Sequence, residues 1–129
     1  MSHADLLKRL LNDPNASALS IATLPSDIKA RLGVRTDEVL LSHYTLNKQQ
    51  KHPEIEFSDY GWLQSLLDNG ERYADRAFHI IVFQYRGEWY EAVLKANKAG
   101  DEVYLQSFHR TNRGRVEKIK KRASGRWSR

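Results

Sequence analysis

The sequence predicts an α+β fold, in which N-terminal helices pack on one face of an antiparallel sheet of about four strands. Two observations predict this class. Leucines recur at helical spacing early in the chain, whereas runs of β-branched and aromatic residues dominate from residue 78 onward. The 129-residue chain contains no cysteine, so a single hydrophobic core has to stabilise it without disulfides.

Two short helices are predicted in the first quarter of the chain. Residues 5–11 place leucines on one helical face, and the turn-forming residues 12–15 end this helix. A second helix begins near Thr23, which can cap it, carries Pro25 in its first turn and ends at Gly33.

A short buried strand and two more helices are predicted next. Residues 39–41 form an apolar run typical of a buried strand. A third helix begins at its N-cap Thr45 and closes at Pro53. A fourth helix begins at Ser58 and ends at the Asn-Gly pair of residues 69–70.

Three strands of an antiparallel meander follow, separated by tight turns. Their predicted ranges are residues 78–85, 89–95 and 102–110. A basic helix is expected at residues 115–123, with Val116 and Ile119 as its apolar anchors. The N-terminal helices should cover one face of the sheet and leave the other face open to a ligand.

Positive charge is concentrated at the C-terminal end of the chain. Residues 110–129 hold nine Lys/Arg and one acidic residue, whereas the whole chain has a formal net charge of +5. We therefore predict one α+β domain over residues 1–112 and a basic tail or helix over residues 113–129. Such a segment favours nucleic acid as its partner, because phosphate binding releases condensed counterions. An acidic protein partner and a solubilising tail are the alternatives.

The last predicted strand carries the densest group of candidate catalytic residues. Strict alternation puts Ser107 and His109 on one face together with Leu105, and puts Arg110 on the opposite face, with Thr111 following. Arginine can donate to phosphate oxygens, and histidine can exchange protons near neutral pH. A structural histidine at a strand end is the alternative interpretation.

A second group of candidate residues lies at the end of the third helix. Lys48, Lys51 and His52 share one helical face at spacings of three and four residues. His52 can exchange a proton and the lysines can bind phosphate, whereas the alternative is a cation that stabilises the helix C-terminus. Arg113 and Arg115 of the basic end are further candidates for substrate binding.

Other classes of chemistry have little support in the sequence. It contains no glycine-rich phosphate loop, dinucleotide-binding motif or nucleophile elbow. Its histidines lack metal-ligand spacing within one element, and no apolar run reaches the roughly 18 residues needed to cross a membrane. We therefore expect no cofactor, no metal and no membrane contact, and a cytoplasmic or phage-virion-associated location.

Several short motifs give residues 39–111 a family resemblance. They are residues 40–42 (Leu-Leu-Ser), 45–46 (Thr-Leu), 51–55 (Lys-His-Pro-Glu-Ile) and 103–111 (Val-Tyr-Leu-Gln-Ser-Phe-His-Arg-Thr). In this order, with a helix and a meander between them, they resemble the phage-associated nuclease-like domains grouped with barnase, EndoU, colicin ribonucleases and RelE. The resemblance implies helices packed on a four-stranded antiparallel sheet.

The same resemblance implies metal-independent cleavage of RNA, for example tRNA, by attack of a ribose 2′-hydroxyl on the adjacent phosphate. The matching positions are His52, Ser107, His109, Arg110 and Thr111. Barnase uses a glutamate base, for which Glu91 is a candidate. RNA is then the expected partner, together with an acidic immunity or antitoxin protein. The alternatives are a non-catalytic nucleic-acid-binding module and a phage structural or interaction module.

Overall fold

The computed structural model describes residues 3–51, 54–75 and 78–122, which contain five α-helices and six strands. The helices are α1 (His3–Asn12), α2 (Ser26–Leu32), α3 (His43–Gln49), α4 (Leu63–Asn69) and α5 (Arg113–Arg122), and a 3₁₀ helix (Phe57–Trp62) precedes α4. The strands are β1 (Leu19–Thr23), β2 (Glu38–Leu41), β3 (Glu71–Asp75), β4 (Phe78–Tyr85), β5 (Glu88–Ala96) and β6 (Val103–Thr111). The predicted α+β class is confirmed.

The six strands form one sheet in the order β1-β2-β6-β5-β4-β3. Strands β3 to β6 form an antiparallel meander, and β1 and β2 extend it because β2 pairs in parallel with β6. The sheet is therefore wider than the roughly four strands predicted. The parallel contact is short, with Val39 opposite Val103 and Leu40 opposite Tyr104, so most of β6 lies beyond the end of β2.

Three of the predicted helices differ from the structure in how they begin or in their continuity. Thr23 lies in β1 and does not cap α2, which ends as predicted at Gly33 in the left-handed conformation (φ 68°). Helix α3 begins earlier than predicted, because Ser42 is its N-cap and accepts a hydrogen bond from the backbone N–H of Thr45 at 3.2 Å. The predicted fourth helix is divided into the 3₁₀ helix and α4. Pro53 lies outside the described residues.

Helices α1 to α4 pack on one face of the sheet and form the main hydrophobic core. Apolar side chains of both layers are buried there, among them Leu7, Ile28, Leu46, Leu66, Ile81, Leu94 and Phe108. This arrangement agrees with the prediction that the N-terminal helices cover one face. Burial of apolar surface on this scale is the main force that stabilises a cysteine-free domain of this size.

The opposite face carries a second, smaller core beneath α5. Val116 and Ile119, the predicted anchors of this helix, are each 1% exposed and pack against apolar side chains of β3 and β4. The helix follows Asn112, whose Oδ1 accepts a hydrogen bond from the backbone N–H of Arg115 at 2.9 Å. The face that was expected to be open is thus partly covered by the basic C-terminal segment.

A β-bulge in β6 decides which of its side chains face α5. The register skips Gln106, because Ser107 pairs with Val93 while Leu105 pairs with the next residue of β5. The extra residue reverses the alternation, so Leu105 points into the main core whereas His109 points to the α5 face. The prediction that Leu105 shares a face with Ser107 and His109 is therefore wrong.

Candidate functional site

A cavity of about 320 Å³ lies between α5 and the sheet. Its polar lining includes Lys48, Glu91, Gln106, Ser107, Arg115 and Arg122. Lys48 comes from α3, whereas Arg115 and Arg122 come from the two ends of α5. The cavity therefore combines several positive charges with one buried carboxylate, and it is suited to an anionic ligand. We call it the cationic cavity.

The buried carboxylate belongs to Glu91, in the middle of β5. Its side chain is 1% exposed, and its Oε1 lies 3.5 Å from His109 Nε2 and 3.5 Å from Arg115 Nε. Both distances are at the outer limit of hydrogen bonding. A carboxylate this deeply buried requires such partners to remain ionised.

The two neighbours of Glu91 determine its charge. Burial alone would raise the pKa of Glu91, because desolvation penalises the charged form. The contacts with His109 and Arg115 outweigh burial and hold the pKa of Glu91 below its ordinary value. Glu91 is thus ionised at neutral pH, and its charge can orient the imidazole of His109.

Strand register and helix packing bring these three side chains together. Glu91 and His109 are Cα partners between β5 and β6, and directly opposite side chains of an antiparallel pair lie close on one face. Arg115 approaches from α5, whose position on the sheet is fixed by the buried anchors Val116 and Ile119.

Helix α3 contributes Lys48 to the cationic cavity. The neighbouring Gln49 is 3% exposed, and its Oε1 accepts a hydrogen bond from the backbone N–H of Phe108 at 3.3 Å. This bond satisfies a backbone donor on the edge of β6 that β2 does not reach. The end of α3 is thereby held against β6, so that Lys48 and Ser107 line the same cavity.

Arg110 lies on the other face of the sheet from His109. It lines a second cavity, of about 390 Å³, together with the rings of Trp62, Tyr85 and Tyr90. Its guanidinium carbon is 5.9 Å from the centre of the Tyr90 ring. The predicted grouping of His109 and Arg110 at one phosphate is therefore divided between the two faces of the sheet.

The remaining predicted residues occupy separate positions. Thr111 is half-buried and lies opposite Trp89 at the start of β5. Lys51 and Arg113 are exposed and lie outside the lining of the cationic cavity. His52, the second predicted proton carrier, lies outside the described residues.

Some lining residues are not identified from the sequence. Neither Phe78 nor Arg122 is predicted to line a site, and Glu91 enters only through the family resemblance. The signal for Glu91 is an acidic residue between Tyr90 and Ala92 in the middle of a strand, since such a residue requires a cationic partner when buried. Arg122 carries no comparable signal, because it lies in a long run of basic residues.

Within residues 3–51, 54–75 and 78–122, no three His, Asp or Glu side chains are grouped closely enough to hold a metal ion. In this part of the chain, no helix has the length and apolar character that crossing a lipid bilayer requires.

Comparison with known protein families, with curated proteins and with solved structures finds no match to this chain. The family resemblance of residues 39–111 therefore stays a hypothesis. The function is inferred from the chemistry of the site, because a fold alone does not define an activity.

Proposed function

We propose that this protein binds RNA at the cationic cavity and cleaves it without a metal ion, with His109 transferring a proton in the reaction. The observation that carries the proposal is the contact between His109 and the buried Glu91. Glu91 lines the cavity together with several cations, whereas His109 lies outside this lining. Glu91 is only 1% exposed, so in this proposal it is a positioning residue that orients the imidazole and does not touch substrate.

The reaction needs two proton transfers. A base removes the proton of the ribose 2′-hydroxyl, and the 2′-oxygen then attacks the adjacent phosphorus. The bond between phosphorus and the 5′-oxygen breaks while an acid protonates that oxygen, which leaves a 2′,3′-cyclic phosphate and a 5′-hydroxyl. His109 performs one of the transfers, and His52, its counterpart predicted from the sequence, is proposed for the other.

The cations of the cavity have a defined task in this reaction. Lys48, Arg115 and Arg122 bind the scissile phosphate and stabilise the negative charge that increases on it during attack. Ser107 donates a hydrogen bond from the same wall. The net positive charge of residues 110–129 supports the proposal further, because it attracts a polyanion to this end of the molecule.

The biological setting follows from the family resemblance alone. The resemblance of residues 39–111 implies a prophage or toxin effector, acting in the cytoplasm or carried with the virion. An acidic immunity or antitoxin protein is then the proposed protein partner, since it would neutralise the basic surface.

A second candidate function is nucleic-acid binding without cleavage, alone or within a phage structural assembly. The observation that favours it is the enclosure of Glu91, which is paired with both His109 and Arg115 as in a purely structural ion pair. The cations of the cavity are sufficient for binding phosphate.

Incubation of the purified protein with total RNA in EDTA distinguishes the two candidates. Wild-type protein should release fragments that end in 2′,3′-cyclic phosphate. RNA carrying 2′-O-methyl groups should stay intact, because the attacking hydroxyl is blocked. Binding without fragments would favour the second candidate, and fragments with 3′-hydroxyl ends would exclude attack by the ribose hydroxyl.

A further inference from the structure

One exposed aromatic ring lines the cationic cavity, and a second contacts a lysine of its lining. Among the described residues, the exposed large hydrophobic side chains are Tyr44, which is 74% exposed, and Phe78, which is 38% exposed. Phe78 lines the cavity, and Tyr44 lies one helical turn before the lining residue Lys48. A single exposed aromatic residue is ordinary on a protein surface. One ring in the lining of an electropositive cavity and a second beside a lysine of that lining indicate a ligand that has both flat and anionic parts.

Each of the two rings also contacts a lysine. Lys48 Nζ lies 5.7 Å from the centre of the Tyr44 ring, and Lys95 Nζ lies 5.5 Å from the centre of the Phe78 ring. An ammonium group at this distance is attracted to the face of the ring. Each pair therefore places a positive charge beside a flat apolar surface, which suits the phosphate and the base of a nucleotide.

We infer that Tyr44 and Phe78 stack bases of single-stranded RNA whose phosphate occupies the cationic cavity. This inference rests on the proposed function and specifies its substrate class. Stacking on a protein ring requires a base with a free face, and the bases of a duplex are already stacked on one another. The protein therefore binds single-stranded RNA in preference to double-stranded RNA.

The exposure of both rings makes the inference testable by substitution. Tyr44 is mostly in solvent and Phe78 is at the first position of β4, so neither replacement removes a buried part of the core. The variants Tyr44→Ala and Phe78→Ala remove the stacking surface, whereas Tyr44→Phe and Phe78→Tyr retain it.

Fluorescence anisotropy with a labelled, 2′-O-methyl single-stranded RNA measures the effect. Each alanine substitution should weaken binding by roughly tenfold, as loss of a base-stacking ring does. The conservative variants should bind as wild type does, and binding of a duplex of the same sequence should be unchanged throughout. Circular dichroism confirms that the variants are folded.

Wild-type affinity in both alanine variants, or an equal loss for single strand and duplex, would overturn the inference. Because the modified RNA cannot be cut, the result is independent of catalysis. If the rings stack bases but unmodified RNA is not cleaved, only the proposed function is contradicted. If the alanine variants cleave RNA with an unaltered KM, only the stacking is contradicted. If the protein binds poly-glutamate and not RNA, the cationic cavity and the two rings form a binding site for an acidic protein, which would also overturn the inference.

Discussion

Glu91 and His109 are direct partners in the β5–β6 register, with 3.5 Å between Glu91 Oε1 and His109 Nε2. The two side chains differ in exposure, since that of Glu91 is 1% exposed and that of His109 is 30% exposed. The carboxylate is therefore fixed inside the protein, while the imidazole can be reached from solvent. This asymmetry suits a carboxylate that orients and an imidazole that exchanges protons.

The lowered pKa of Glu91 predicts a loss of stability in acid. A carboxyl whose pKa is lower in the folded than in the unfolded state stabilises the fold above the unfolded value, and this contribution disappears as pH falls through the folded value. The free energy of unfolding of the wild type, measured with urea, should therefore decline below about pH 4.5. Glu91→Gln should lack this part of the decline, and parallel curves for the two proteins would contradict the assignment.

His79 predicts a second pH dependence, nearer to neutrality. Its pKa is lowered mainly by burial and also by the charge of Arg31. The unfolded chain then takes up the proton more readily than the folded one, so stability decreases as pH falls below 6.5. His79→Asn should reduce this decrease in urea unfolding, whereas His3→Asn, which replaces an exposed histidine of α1, should not. If the free energy of unfolding of His79→Asn depends on pH as that of the wild type does, the effect of burial on His79 is contradicted.

Gly70, between α4 and β3, has no space for a larger side chain. A Cβ at this position would lie 2.5 Å from Ile81 Cγ2 and 2.7 Å from the carbonyl oxygen of Leu66. Gly70→Ala should therefore destabilise the fold by roughly 2–3 kcal/mol. Gly61→Ala is the matched control, because nothing lies within 4 Å of its added Cβ. The Tm should fall in the first variant only, and equal Tm values in both would show that the backbone accommodates the methyl group.

Lys48 predicts a salt-dependent contribution to RNA binding. A lysine that neutralises one phosphate releases about one counterion, so Lys48→Ala should reduce the slope of log K against log salt concentration by about 0.7 for single-stranded RNA. Lys98→Ala removes an exposed lysine between β5 and β6 and should leave the slope as it is. Identical slopes for wild type, Lys48→Ala and Lys98→Ala would show that Lys48 does not contact a phosphate of the RNA.

The parts of the fold with strong periodic patterns are predictable from the sequence. Strand β4 has the bounds predicted for it, because its eight residues form an unbroken run rich in apolar and aromatic side chains. Strands β1 and β3 are missed because they are short and contain polar or charged residues. Arg72 of β3 illustrates the reason: it is 3% exposed, since its guanidinium pairs with Asp27 and donates to the carbonyl of Gly70. Such partners cannot be seen in a local pattern.

The site is only partly predictable, because long-range contacts assemble it. Ser107 and His109 share a face as predicted, but the face they occupy depends on the extra residue Gln106, which the alternation does not reveal. Lys48 reaches the cavity because the neighbouring Gln49 accepts a hydrogen bond from the backbone N–H of Phe108, which is 59 positions away in the sequence. The composition predicts a basic C-terminal segment. That this segment packs over Glu91 can be seen only in the structure.

The rate of RNA cleavage by the His109→Ala variant in EDTA tests the central claim most directly. The rate should fall by roughly two to four orders of magnitude relative to wild type, with an unchanged circular dichroism spectrum. His3→Ala, prepared in parallel, should retain the wild-type rate and controls for contaminating nuclease. Cleavage by the folded His109→Ala protein at the wild-type rate would contradict the account, because the activity would then not depend on this imidazole.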